Sequence, residues 1–239
     1  MVSVMEKYFD ISYVWTALPS LLPFLQVTLF VSSITILSGT FLGLILTIFK
    51  LSHNKLLNKI GNGYTTIIRC TPSIVLLFLV YYGIPKLAEE FNLNLQNINT
   101  AIFVIITFTL QFAAIMSEVI RSAYQSIDKG QYEAAVSVGL SPFQAYWRII
   151  FPQALVIALP NFGNGIIAVL QEGALAYTIG FIDIVGKANL MITNNINAHA
   201  LEIYIALGII YWALSLLIEK FFSILEKTFS KGKKTLETT

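Results

Sequence analysis

Glu118 and Arg121 lie three residues apart, just past a charge-free run over residues 91–117. At helical spacing the two side chains share one face. A carboxylate at membrane depth is costly, and two chemistries suit it. The preferred one is a fixed ion pair with Arg121; the other is contact with a polar solute or uptake of a proton. A second acid, Glu172, ends another charge-free run over 149–171, beside Gln171 and downstream of Asn161 and Asn164. Asn161, Asn164 and Glu172 are candidates to line a solute pathway, with interhelical hydrogen bonding the competing role for each asparagine. Gln111 reads as structural. Other chemistries lack their residues. His53 and His199 each stand without a Cys or His neighbour at ligand spacing, so no metal site is expected. Cys70 is the single cysteine, which rules out an internal disulfide. No paired catalytic carboxylates, histidine cluster or G-x-S-x-G turn suggests an enzyme. Ser230-Lys-Gly-Lys-Lys-Thr235 lacks the glycine spacing that cradles phosphates, so no nucleotide site is expected in this chain.

The elements that carry these residues must cross a bilayer. Of 239 residues, 56% are hydrophobic and 12% charged, against roughly 25% charged in a soluble domain. Runs free of charge cover 11–49, 70–85, 91–117, 149–171 and 203–218, and a crossing needs about 20 apolar residues. The expectation is an all-α polytopic protein with spans at 24–49, 63–86, 100–124, 152–172 and 202–225. Pro19 and Pro23 suggest a separate interfacial helix over 10–20. Glu6 and Asp10 flank a long apolar stretch, which is unlike a cleaved signal peptide. The organisation expected is an external segment 1–20, a transmembrane domain 21–225 and a basic tail 226–239. A net charge of +2 gives no reason to expect a nucleic-acid partner.

Charge placement orients the chain. Lys50, Lys55, Lys59, Arg69, Arg121, Lys129, Arg148, Lys220, Lys227, Lys231, Lys233 and Lys234 fall on one side, leaving Lys7, Lys86 and Lys187 on the other. The positive-inside rule then puts the N-terminus outside and the tail in the cytoplasm. The fourth segment contains Pro160, Gly163 and Gly165, and residues 173–197 are too polar for a lipid-facing helix. A partly buried, partly external element is expected there. Gly39-Thr-Phe-Leu-Gly43 allows close helix approach, a pattern of low specificity. Trp15, Tyr81, Tyr82, Trp147 and Trp212 fit interfacial belts.

Between the third and fourth spans lies a polar insertion over 125–150. It reads as a helix from Asp128 through Glu133-Ala134-Ala135 that stops at Gly139. A second helix follows, with Ser141 as N-cap, Pro142 at its first position and Gln144 closing a capping box. A structured helical pair in solvent suggests a docking surface for a soluble partner.

Glu133-Ala134-Ala135, Gly139, Ile149 and Phe151-Pro152 follow the EAA signature of permease subunits of type I ABC importers. Phe151 stands where leucine is usual. Ser126-Ile-Asp-Lys-Gly-Gln-Tyr-Glu-Ala-Ala, Phe151-Pro-Gln-Ala-Leu and Arg69-Cys-Thr-Pro72 are similar to the polar amino acid permease branch, and the resemblance covers about residues 20–225. Ala176–Gly186 looks like permeases serving cystine. At Gln171-Glu-Gly-Ala-Leu175 the family usually has Lys-Asp-Thr-Ser-Leu, so the lysine and two hydroxyls are missing here.

The resemblance implies a five-helix permease fold in a bacterial plasma membrane. It implies a second permease subunit, alike or different, and two copies of an ATP-binding subunit that hold ATP and magnesium. It also implies an extracellular or periplasmic amino acid-binding protein. Glu133, Ala134, Ala135 and Gly139 would couple to the ATPase: the alanines for close approach, Gly139 for the break, and Glu133 to orient the loop or pair with a basic residue. From spacing alone, Glu133 reads equally as a solvated helix residue. A proton-coupled transporter or channel using Glu118 or Glu172 is the competing class.

Overall fold

The computed structural model describes residues 9–93, 95 and 98–230. The expected external residues 1–8 and the tail lysines Lys231, Lys233 and Lys234 lie outside the described residues. Everything regular among the described residues is helical. The helices are α1 (Ile11–Leu51), α2 (Lys55–Cys70), α3 (Ser73–Glu89), α4 (Thr100–Gln125), α5 (Lys129–Ser137), α6 (Pro142–Ala145), α7 (Phe151–Glu172), α8 (Ile184–Asn194) and α9 (Ala200–Ser230). A π-helical turn, Tyr146–Ile150, joins α6 to α7, and a 3-10 turn, Gly173–Ile179, follows α7.

Two expectations about spans change. The separate helix at 10–20 does not exist, because α1 runs unbroken from Ile11 to Leu51 with Pro19 and Pro23 inside it. Val14, Ala17 and Leu21 are buried in a core with α8 and α9. That packing holds the helix together across the bonds the prolines remove. The second span is two helices, α2 and α3, separated at Thr71-Pro72; only together do they meet the criterion of a crossing. Pro72 disfavours helical geometry at the residue before it, which fits a break there. The fourth span, expected at 152–172, matches α7, with helical structure continuing on either side from Pro142 to Ile179. Pro160, Gly163 and Gly165 do not interrupt α7. The third and fifth spans match α4 and α9 closely. Four helices are long and apolar enough to cross alone, and the α2–α3 pair makes a fifth if counted as one.

The chain divides into two compact units. The first comprises residues up to Leu37, Thr71–Thr109 and Ala168–Leu216. Its core joins α1 to α8 and α9 through Val14, Leu21, Ile184, Ala188, Ile192 and Ile203. Asp183, 2% exposed, locks this core: its carboxylate accepts from the Val185 and Gly186 amides, both at 3.0 Å, and from the Thr28 hydroxyl at 3.1 Å. Burial pushes the Asp183 carboxyl above its usual range, although those hydrogen bonds pull the other way. The 173–197 stretch is therefore partly buried, as expected. His199 stacks on Tyr13 at 4.0 Å between ring centres and faces Glu202, whose Oε1 also accepts from the Asp10 amide at 2.9 Å.

The second unit comprises Ser38–Cys70, Leu110–Ile167 and the chain from Leu217. Small residues set its spacing. A Cβ at Gly43 would sit 2.8 Å from the Met116 Cβ, so α1 and α4 touch there through glycine. The Gly39–Gly43 pattern is realised at Gly43. Gly61 brings α2 equally close to the Lys50 side chain, and Gly163 brings α7 against Phe222.

Candidate functional site

The helical pair forms as its caps dictate. Asp128 caps α5 by accepting from the Gly130 amide at 2.7 Å. Gly139 ends it with φ +90°, in the left-handed region that favours glycine. The Leu140 amide reaches back to the Ala135 carbonyl at 3.2 Å and the Gly139 amide to Val136 at 2.9 Å, the paired bonds of a glycine-terminated helix. Ser141 and Gln144 then close a reciprocal capping box. The second helix enters α7 through the π turn, where the Phe151 amide bonds to the Tyr146 carbonyl five residues back.

This surface is exposed and sets large apolar side chains among polar ones. Glu133 and Ala134 face solvent, as do Val138 at 79% and Phe143 at 76%. Phe143, Trp147 and Phe151 stack as a ladder, their ring planes 3° and 8° apart at successive steps. Ala135 is different. It is buried within the unit at 6% exposure, so it packs α5 inward and is not available to a partner. One residue of offset turns the helix by 100°, which separates Ala134 from Ala135. Behind the pair, Tyr124, Tyr132, Tyr146 and Glu133 border a cleft of about 380 Å³.

The base of this region is held by charge. Glu118 and Arg121 form the expected ion pair, Arg121 Nη2 and Nε donating to Glu118 Oε2 at 2.6 and 3.0 Å. A third member was not foreseen. Lys50 Nζ, on a side chain with 0% exposure, donates to Glu118 Oε1 at 2.6 Å and to Ser117 Oγ at 2.7 Å. Its signal was a lysine closing a long charge-free run, which sequence alone reads as a solvated end. Thr47 ties the same helices, donating to the Ser117 carbonyl at 3.1 Å. Arg121 also donates to Gln125, at the last turn before the Asp128 cap.

The pathway candidates fall in different units. Asn161 and Asn164 are exposed on α7 in the second unit, one turn apart. Glu172, half-buried in the first unit, accepts from the Ser73 hydroxyl at 2.9 Å. Ser73 follows the Thr71-Pro72 break, a position that sequence reasoning did not nominate. Among the described residues, no three His, Cys, Asp or Glu side chains are grouped to hold a metal ion.

Comparison with known proteins gives a consistent answer. Residues 39–231 match the model of the family described as binding-protein-dependent transport system inner membrane component. The chain is 39% identical over 234 residues to the L-cystine transport system permease protein TcyL of Bacillus subtilis (strain 168), covering 98% of this chain and 97% of that one. It is 34% identical over 226 residues to the probable amino-acid permease protein YxeN of the same organism, covering 95% and 98%. Among solved structures, an amino acid ABC transporter crystallised with histidines superposes with a TM-score of 0.79 at 29% identity, over 92% of this chain and 98% of that one. The MetNI methionine ABC transporter, at 17% identity and a TM-score of 0.64, shares the fold.

Proposed function

The chain belongs to the binding-protein-dependent transport inner membrane component family, a multi-pass component of the plasma membrane, and we propose that it is the permease of an ATP-driven amino acid importer with cystine as its foremost candidate substrate. The observation that carries this reading is the glycine-terminated α5 followed by α6, with exposed apolar side chains at Val138 and Phe143. A solvent-facing surface of that kind is costly unless a partner covers it. The partner is a separate ATPase subunit. Two permease subunits face one another across the pathway, and the loop between α4 and α7 lies in the cytoplasm, as the lysine and arginine distribution requires. Closure of the ATPase pair draws the two loops together and opens the pathway outward to a docked binding protein; hydrolysis resets it. ATP and magnesium belong to the ATPase, and this chain carries no hydrolytic step. The cystine assignment rests on the 39% identical relative and on the Ala176–Gly186 segment.

Glu133, Ala134 and Gly139 make the coupling contact, with Ala135 supporting α5 from within. Reconstituted with its ATPase and binding protein, the permease takes up amino acid only with ATP and continues after a proton uncoupler. Glu133→Lys and Ala134→Trp, both at exposed positions, lower ATPase stimulation about tenfold or more, the effect of losing roughly 1.4 kcal/mol of docking energy. Normal stimulation in both variants, or uptake driven by a proton gradient alone, removes the reading. Glu118 is poorly suited to proton coupling because two cations already hold both of its oxygens.

A further inference from the structure

Four elements among the described residues end in one hydrogen-bond pattern, in which two successive amides reach back three and five residues. The pairs are Gly139 and Leu140 after α5, Gly180 and Phe181 after the 3-10 turn, and Asn92 and Leu93 after α3. After α8 the pair is Ile196 and Asn197, whose amides meet the Thr193 and Ile192 carbonyls at 3.1 and 2.9 Å. The first residue of each pair lies in the left-handed region, with φ +90°, +80°, +58° and +49° in turn. Glycine is the usual occupant and asparagine the next. Ile196 is the exception. A β-branched side chain there is strained, and such strain persists where the surroundings fix the backbone and function uses it. The fixing is visible: Asn195 Nδ2 donates to the Tyr13 hydroxyl at 2.6 Å, and the Tyr13 ring stacks on His199 at 4.0 Å. Packing does not explain the choice of residue, because Ile196 is 89% exposed, the highest value among the large hydrophobic side chains described.

We propose that Ile196 is a preformed apolar knob that seats in an apolar depression on the docked amino acid-binding protein. The neighbouring residues favour a protein over a lipid leaflet. Asn194 and Asn197 are exposed beside it, and residues 188–201 contain no Asp, Glu, Lys, Arg, Trp or Tyr. A membrane anchor relies on cationic or aromatic residues at this depth. An apolar centre with a neutral polar rim is the composition of a protein–protein contact. One crossing, α7, separates the turn from the 125–150 loop in the chain, so the lysine and arginine distribution that puts that loop in the cytoplasm puts Ile196 outside. The strained turn holds the side chain out before the partner arrives, which spares docking the cost of ordering it. The choice of partner rests on the importer reading given above; the strain and exposure of Ile196 do not.

The test uses the full chain with its ATPase in nanodiscs and the purified binding protein of the same system. Ile196→Asn keeps a residue that tolerates the left-handed region and removes the knob. The melting temperature of the permease should hold or rise. The concentration of binding protein that gives half-maximal ATP hydrolysis should rise about tenfold or more, the worth of one buried isoleucine side chain. An unchanged concentration, with the parent stimulated normally, overturns the knob and leaves the importer reading standing. A parent that the binding protein does not stimulate overturns the importer reading and the named partner with it. In a second arm, Cys70→Ser removes the exposed native thiol and Ile196→Cys carries a nitroxide. The label should be open to a nickel chelate in the permease alone and closed to it once the binding protein is added. A label already shielded by lipid, broadened by a second copy, or indifferent to the binding protein overturns the proposal.

Discussion

Removing Glu118 should be far more damaging than removing Glu118 and Lys50 together. The Lys50 side chain is wholly buried, and its ammonium has two partners, Glu118 Oε1 at 2.6 Å and Ser117 Oγ at 2.7 Å. In Glu118→Leu the ammonium keeps one neutral oxygen and no counter-charge. Breaking a buried pair from one side costs about 3–5 kcal/mol, because the surviving charge is left uncompensated. Arg121 adds little to that cost, since it is half-exposed and retains Gln125. For a protein of this size each kcal/mol shifts the melting temperature by about 2–4 °C, so the single variant should unfold about 6–20 °C early. In Lys50→Met with Glu118→Leu, both charges leave and apolar volume replaces them, which restores most of the loss. The assay is thermal unfolding of the nanodisc protein followed by tryptophan fluorescence, run as a full double-mutant cycle. A single variant within about 0.5 kcal/mol of the parent, or a double variant no better than the single, refutes the account of Lys50 as a charge held by Glu118.

Two glycines with similar clearances should respond differently. A Cβ at Gly186 would meet the Phe181 carbonyl oxygen at 2.8 Å, whereas one at Gly165 would meet the terminal methyl of Met116 at 2.7 Å. Gly186→Ala should therefore cost about 1–3 kcal/mol in unfolding measurements, and Gly165→Ala markedly less because a flexible thioether end can move. At Asp183, Ala removes the cap of α8 and should cost about 0.5–2 kcal/mol. Asn keeps an acceptor for the two amides and should be far better tolerated. Because burial raises this carboxyl above the usual 3.8, the folded state holds its proton more tightly than the unfolded chain. Parent stability then declines as pH rises through the elevated pKa, and Asp183→Asn lacks that component. Unfolding midpoints measured from about pH 4 to 7 check the slope; an identical slope in both proteins contradicts it.

Much of this molecule can be read locally. Caps are decided by neighbours: Asp128, Ser141, Gln144 and Gly139 do in three dimensions what their spacing announces, and α4 and α9 appear where long charge-free runs place them. The Glu118–Arg121 pair is equally local, since an i,i+3 contact needs only the helix. The break at Thr71-Pro72 was written in the chain, but its consequence was not. What lies on either side is one amphipathic helix and one apolar helix, and a count of apolar residues merges them.

Burial between distant segments is another matter. Nothing near Lys50 in sequence says that Ser117 and Glu118 enclose it, and a lysine after a long apolar run looks solvated until α4 is packed against it. Pro19 and Pro23 mark a helix end by their own geometry; only the core shared with α8 and α9 overrides them. Ala134 and Ala135 are identical by composition and are separated by the 100° turn of a helix whose inner face the packing chooses. The chain alone thus determines where helices start, stop and carry charge, because those are short-range hydrogen-bonding and solvation choices. Which face of each helix is inside, and which charge is enclosed, depends on contacts across tens of residues and belongs to the tertiary structure.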